Sequence, residues 1–163
     1  MDPFTELMKA ISPVLKERGF SKKRATFHLA KGNNYGVVNF QKSTSSTKER
    51  ILFTINLGIY SHVLRQFGFG YSKLLKPAES DCHWRSRIGD FLSNSGDSWW
   101  DLNASQDVSN VAEEVSGMIQ TIVVPQIIKR LSDEDLIHTW LNNDFVGTTE
   151  LGRFIYLTVL LKS

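Results

Sequence analysis

The chain has 163 residues, of which 41% are hydrophobic, 11% aromatic and 22% charged, a composition that excludes a fibre or a disordered tail and gives one compact domain over residues 1–163 enough apolar material for a core. Its single cysteine, Cys82, excludes an internal disulfide and every multi-cysteine metal pattern, and the longest mainly apolar run, residues 154–161, is far short of the ~20 residues that cross a bilayer. The net charge of +2 divides unevenly, with 13 Lys/Arg against 5 Asp/Glu in residues 1–80 and 6 against 12 in residues 81–163, a division that fits either charge interleaving on a solvated surface or attraction of an oppositely charged partner.

The opening Met1-Asp2-Pro3 supplies an acid and a helix starter where a secretory signal carries basic residues ahead of an apolar run, so a cytoplasmic protein is the expectation. Phe4, Leu7, Met8, Ile11, Val14 and Leu15 recur at three- and four-residue steps, which predicts a helix to about Arg18, stopped by Gly19 as a left-handed cap. Pro13 inside that pattern is expected to kink or restart it. From Ala25 the period shortens to two, and Lys31-Gly32-Asn33-Asn34 supplies a turn before residues 35–41, which predicts a hairpin. Beyond the polar loop of residues 43–48, Ile51, Phe53, Ile55, Leu57 and Ile59 line one face of a central strand whose other face is partly polar through Thr54 and Asn56. Residues 60–80 read as loop with a helical turn around Val63, Leu64 and Phe67, because Gly68, Gly70 and Pro77 interrupt any longer period.

Residues 84–92 are predicted as a strand with Trp84, Ser86 and Ile88 on one side and Arg85 and Arg87 on the other. Residues 93–98 read as a turn, and Trp99-Trp100 as the start of another strand. Asp107 caps a long helix through Val108, Val111, Ala112, Val115, Met118, Ile119, Ile122 and Val123, which Pro125 should bend and Ile127, Ile128 and Leu131 continue. Ser132-Asp133-Glu134-Asp135 resembles a capping box and opens a helix through Leu136, Ile137, Trp140 and Leu141. Thr148 or Thr149 starts a last helix whose apolar residues leave little polar face. It must be buried in the domain or bury itself on a partner, a homodimer through this helix included. The fold class is therefore α+β, a single domain with an antiparallel sheet of about five strands packed against the N-terminal helix and a long C-terminal helical region.

The densest stretch for function runs from Cys82 to Asp101, with three of the four tryptophans. Trp84, Arg85, Arg87, Asp90, Trp99, Trp100 and Asp101 form the candidate binding surface. Arginine's planar fork grips phosphate and a carboxylate can take a proton, so Arg85 and Arg87 with Asp90 or Asp101 fit a phosphate clamp. They fit equally an ion-paired network that locks the strand and its turn, the reading favoured here. Adjacent tryptophans on a strand point to opposite sides, so one of Trp99 and Trp100 faces away from the core. Cys82 beside His83 reads as a buried thiol and a surface imidazole, since strand neighbours diverge and no spaced ligand set accompanies them. No metal or cofactor is expected.

One motif fails on topology. Residues 52–57 resemble the first RNA-recognition signature and Gly68-Phe69-Gly70-Tyr71 the second. Only ten residues separate them, too few for the helix and strand that must intervene. Basic residues spread from Lys9 to Lys76 likewise predict no sequence-specific nucleic-acid binding.

Gly19-Phe20, Phe40-Gln41-Lys42-Ser43, Arg87-Ile88-Gly89 and Trp99-Trp100, in that order between an amphipathic helix and a helix interrupted by Val123-Val124-Pro125, resemble the bacterial domain-of-unknown-function family numbered 4304 over residues 4–131. The resemblance implies a bacterial origin and one α+β domain, and brings no catalytic residue with it. Without an assembled catalytic motif, the divided charge, the clustered tryptophans and the apolar last helix point to a non-enzymatic protein-binding module, immunity-like in that it masks a toxin or other protein. The alternative is an enzyme or binder acting on nucleic acid or a phosphorylated ligand through Arg85 and Arg87.

Overall fold

The computed structural model describes residues 1–68, 74–93, 96–103, 107–144 and 146–163. Asp2 caps the first helix, α1 (Pro3–Glu17), by accepting the Thr5 amide at 3.1 Å, and the helix gives way at Arg18 to Gly19, whose φ of 91° only glycine adopts freely. It runs through Pro13 without restarting. The buried face of Phe4, Leu7, Met8, Ile11 and Leu15 holds both halves to one core, and burial worth ~1.5–3 kcal/mol per large side chain outweighs the hydrogen bond that proline removes.

Four strands follow as an antiparallel meander: β1 (Ser21–Lys23), β2 (Thr26–Lys31), β3 (Asn34–Lys42) and β4 (Arg50–Tyr60). The β2–β3 hairpin and the central β4 stand where the period of two puts them. β1 is too short for a period and is fully exposed, a lysine-bearing edge of the kind that discourages further pairing. After α2 (His62–Gly68) come β5 (Trp84–Arg87) and β6 (Trp100–Asn103), and both pair with the second edge of β4. Residues 56–59 of β4 take β5 and residues 50–53 take β6. Between these pairings the Thr54 hydroxyl donates to the Ser98 carbonyl at 2.8 Å.

Alternation along these strands sends Phe27, Val38, Phe40, Ile51, Phe53, Ile55, Leu57, Ile59, Trp84 and Leu102 into one core. That core is covered by α1, by α3 (Val108–Met118), which packs along α1, and by α4 (Val124–Ile128). Gly36 makes the approach of α4 to β3 feasible, since a Cβ there would lie 2.3 Å from Ile127 Cγ2. The result is an α+β fold with a six-stranded antiparallel sheet.

Three expectations change in detail. The strand from Trp84 ends at Arg87, because residues 88–91 turn in a 3₁₀ helix. The Asp90 carboxylate drives that turn by reaching back to the Arg87 amide at 3.0 Å and to the Ser86 hydroxyl. Pro125 sits in the first turn of α4, and a π-helical turn over Ile119–Val123 precedes it. There the Val124 amide bonds the Ile119 carbonyl five residues back, so the register shifts just ahead of the residue that has no N–H. The C-terminal helices α5 (Asp133–Leu141) and α6 (Glu150–Lys162) start at their predicted caps, Ser132 in a reciprocal box with Asp135 and Thr149 accepting the Gly152 amide. In α6, however, only Leu160 is buried.

Candidate functional site

The sheet face opposite the helices carries a row of polar side chains in register. Thr26 stands opposite Asn39, Asn39 opposite Asn56, and Asn56 opposite Arg87. The row is hydrogen-bonded throughout: Asn39 Nδ2 donates to Thr26 Oγ1 at 2.9 Å, Asn56 Nδ2 to Gln41 Oε1 at 2.8 Å and Asn39 Oδ1 at 3.3 Å, and Arg87 Nε to Asn56 Oδ1 at 3.1 Å. Its β5 end opens into a polar cleft of about 490 Å³ lined by Gln41, Asn56, Glu79, Arg85, Ser86, Arg87 and Asp90.

Arg85 and Arg87 thus share a face, two residues apart on one strand, as alternation requires. Neither is open. Arg85 grips Glu79 through Nε at 2.8 Å and Nη2 at 3.0 Å, and the Glu79 carboxylate pushes the Arg85 pKa further up. Arg87 holds both oxygens of Asp97 from Nη1 at 2.8 Å, its guanidinium 5.6 Å from the Trp99 ring. That guanidinium, helped by Trp99, draws the Asp97 carboxyl below its ordinary range. Arg87 therefore pairs with neither Asp90 nor Asp101, the partners the sequence suggests. Asp90 serves the strand-ending turn, while Asp101 lies on β6 and pairs with Arg50 at 2.6 Å, away from the cleft. A phosphate would compete with Glu79 for Arg85 and with Asp97 for Arg87.

The tryptophans separate, although β6 starts only at Trp100 and Trp99 lies just ahead of the strand the sequence places it on. Trp99 faces Arg87, whereas Trp100 stacks on Phe53 at 5.2 Å and 14° and donates Nε1 to Glu114 at 3.2 Å. Trp84 is fully buried and leaves the candidate surface: its Nε1 donates to the Val146 carbonyl at 2.6 Å.

Arg130, absent from the sequence-based candidates, sits against that indole. It is 1% exposed, with its guanidinium 4.5 Å from the Trp84 ring and Nη2 donating to Asp144 at 2.7 Å. A signal existed, since Arg130 falls three residues after Ile127 and seven after Val123 in the buried stripe of the helix. Its charge makes that position read as solvent-facing.

Cys82 is buried, and burial pushes its thiol well up, away from reactivity. His83 is not a surface imidazole. It is half-buried against Tyr60 and Tyr156, and desolvation, with Arg65 nearby, holds its pKa at about 4. Ser61, His83 and Asp133 come together without the hydrogen bonds of a nucleophile and its base. The Ser61 hydroxyl donates to Asp133 at 2.6 Å and accepts the Leu64 amide, while His83 Nδ1 accepts the Ser61 amide at 3.1 Å. The group caps α2. Among the described residues no set of His, Cys, Asp and Glu side chains is arranged to hold a metal ion, and no helix is long and apolar enough to cross a membrane. The RNA-recognition resemblance falls partly outside the described residues, at 69–71; residues 52–57 lie in β4.

A second surface is apolar. One side of α6 meets the body of the domain: Tyr156 tilts on Trp140 at 5.9 Å, Leu157 and Val159 pack on the core, and Arg153 Nη1 donates to the Trp140 carbonyl at 2.9 Å. The other side carries Leu151 at 69%, Phe154 at 67% and Ile155 at 41% exposure, at i, i+3 and i+4, and Leu161 at 57%, two turns beyond Phe154 on the same stripe. Leu141 of α5, the helix that packs on α6, is exposed as well.

No curated protein and no solved structure matches the chain. A family model described as Domain of unknown function (DUF4304) matches residues 11–129, from inside α1 to just past α4, so the chain belongs to that family and carries α5 and α6 beyond the matched stretch.

Proposed function

We propose that the protein is a non-enzymatic protein-binding module that engages its partner through the outer face of α6. The observation that carries this reading is the stripe of Leu151, Phe154, Ile155 and Leu161, large apolar side chains held in water on a helix whose opposite side is already committed to the core. Isolated exposed leucines are ordinary, but a contiguous apolar stripe is what partner helices and grooves cover. The polar cleft supports the same reading from the other direction: each of its arginines is satisfied by a carboxylate of the chain, which suits a brace better than a ligand clamp. A reducing, cytoplasmic setting in a bacterium is the environment we propose, supported by a lone buried thiol.

The test is photo-crosslinking in the native cell with benzoylphenylalanine placed at residue 154 or, as a control, at exposed residue 113 of α3. Discrete protein adducts at 154 and none at 113 are expected. No adduct at 154, or the same adducts at both positions, would defeat the proposal.

A further inference from the structure

We propose that the partner at this face is a second copy of the chain, with the two α6 helices antiparallel about a two-fold axis level with Tyr156. The inference rests on the protein-binding reading and names its occupant. A two-fold interface must be complementary to itself, with each residue meeting its counterpart at the mirrored height. The outer side of α6 has that property except at its margin, where the counterpart of Ile155 is Leu157, which packs on the core. Leu151 and Leu161 lie five residues on either side of Tyr156, Phe154 and Thr158 two residues, and Glu150 and Lys162 six. At 1.5 Å per residue these are heights of about 7.5, 3 and 9 Å along the helix.

In an antiparallel pair, therefore, Leu151 stands level with Leu161 of the second copy at both ends of the contact. The Phe154 ring comes level with the small Thr158 of the second copy. That threonine brings no unsatisfied donor, because its hydroxyl donates within its own helix to the Phe154 carbonyl at 2.7 Å. At the margins Glu150 comes level with Lys162 of the second copy, twice, and the helix dipoles oppose one another. A parallel pair would instead set Glu150 beside Glu150 and Lys162 beside Lys162. A foreign partner has no need of this symmetry.

The contact is small. A 13-residue helix is about 20 Å long, and a strip of that length falls short of the ~1,600 Å² of a standard interface, so a reversible dimer follows.

Sedimentation of the full chain from roughly 1 to 300 µM should show a monomer–dimer equilibrium, and Phe154→Asp should weaken it on the order of tenfold or more. Glu150→Lys and Lys162→Glu should each weaken it, and the two together should restore it. Register is read with cysteines, the native Cys82 being buried. A mixture of Leu151→Cys and Leu161→Cys chains should form a mixed disulfide that neither variant forms alone. All these positions are exposed, and unchanged thermal unfolding at the lowest concentration confirms intact folding. A monomer at every concentration with no mixed disulfide overturns the second copy, and self-linking of Leu151→Cys alone overturns the antiparallel register. A heterologous adduct at residue 154 alongside a monomer would overturn this inference and leave the protein-binding reading standing.

Discussion

The Arg130 guanidinium lies 4.5 Å from the centroid of the Trp84 ring, sealed from solvent, and its charge is answered by Asp144 at 2.7 Å. Gln126 takes two more of its hydrogen bonds through its carbonyl and side-chain oxygen. Tryptophan, arginine and aspartate come from β5, from the end of α4 and from the loop after α5, so one buried charge ties three segments distant in sequence.

Arg130→Ala should destabilise the fold by about 3 kcal/mol or more, because it strips the indole face and leaves Asp144 with Lys129 as its one charged partner among the described residues. Arg130→Met, which keeps much of the volume, should cost less. Denaturant midpoints of the two variants check the order, and equal losses would show that the charge, not the packing, dominates.

Gly147 has φ 79°, and a Cβ on it would lie 2.4 Å from Trp84 Nε1. Gly147→Ala is therefore expected to lower stability by roughly 2 kcal/mol, from backbone strain and displacement of the indole together. Tryptophan fluorescence should shift as the midpoint falls. A neutral substitution would mean that the loop does not hold Trp84.

For Arg87 the expected effect is modest. Its side chain is 39% exposed and that of Asp97 is 55%, so solvent screens the pair, which is worth ~1 kcal/mol or less. Arg87→Ala should exceed that figure slightly because Asn56 Oδ1 loses a donor and Trp99 its cation. A double-mutant cycle with Asp97→Ala measures the coupling, and a coupling of zero would remove Asp97 as the partner.

His83 gives the fold a pH dependence with a definite sign. Its folded pKa of about 4 lies below the unfolded value near 6.5, so the unfolded chain binds the extra proton between those limits. The stabilisation from neutral His83 is complete above pH 6.5 and is lost as pH falls toward 4, up to about 3 kcal/mol in all. Asn at this position can still accept the Ser61 amide without titrating. His83→Asn should flatten the stability profile between pH 4 and 6.5, and an unchanged profile would assign the dependence to another group.

The elements legible in the sequence are those whose pattern is local. β4 announces itself through five alternating large apolar residues, and α3 through its stripe and its Asp107 cap. The end of β5 is not legible, because it depends on Asp90 reaching back and on Gly96, whose carbonyl lies where a Cβ on Gly89 would fall. For the same reason the sequence offers Arg87 several nearby carboxylates and no means of choosing. Asp90 is consumed by the turn, and Asp101 is carried by β6 to Arg50. Arg130 is hidden by its charge, and α6 by being apolar all round, so that periodicity cannot say which side meets the body. Neighbours such as Trp140 and His83, brought in from elsewhere, decide that.

The divided second edge of β4 bears on the order in which the sheet assembles. The meander on its first edge closes through the short connections at residues 32–33, between β2 and β3, and 43–49, between β3 and β4, whereas β5 begins at residue 84 and β6 at residue 100. Short loops lose less entropy on closure, so the β2–β3–β4 meander is the natural nucleus and the two four-residue strands join a surface already formed. The same imbalance governs opening in the native state. The β5–β6 margin, with few ladder bonds of its own, should exchange its amides through smaller fluctuations than the meander, and the cleft beside Arg87 lies at that yielding margin.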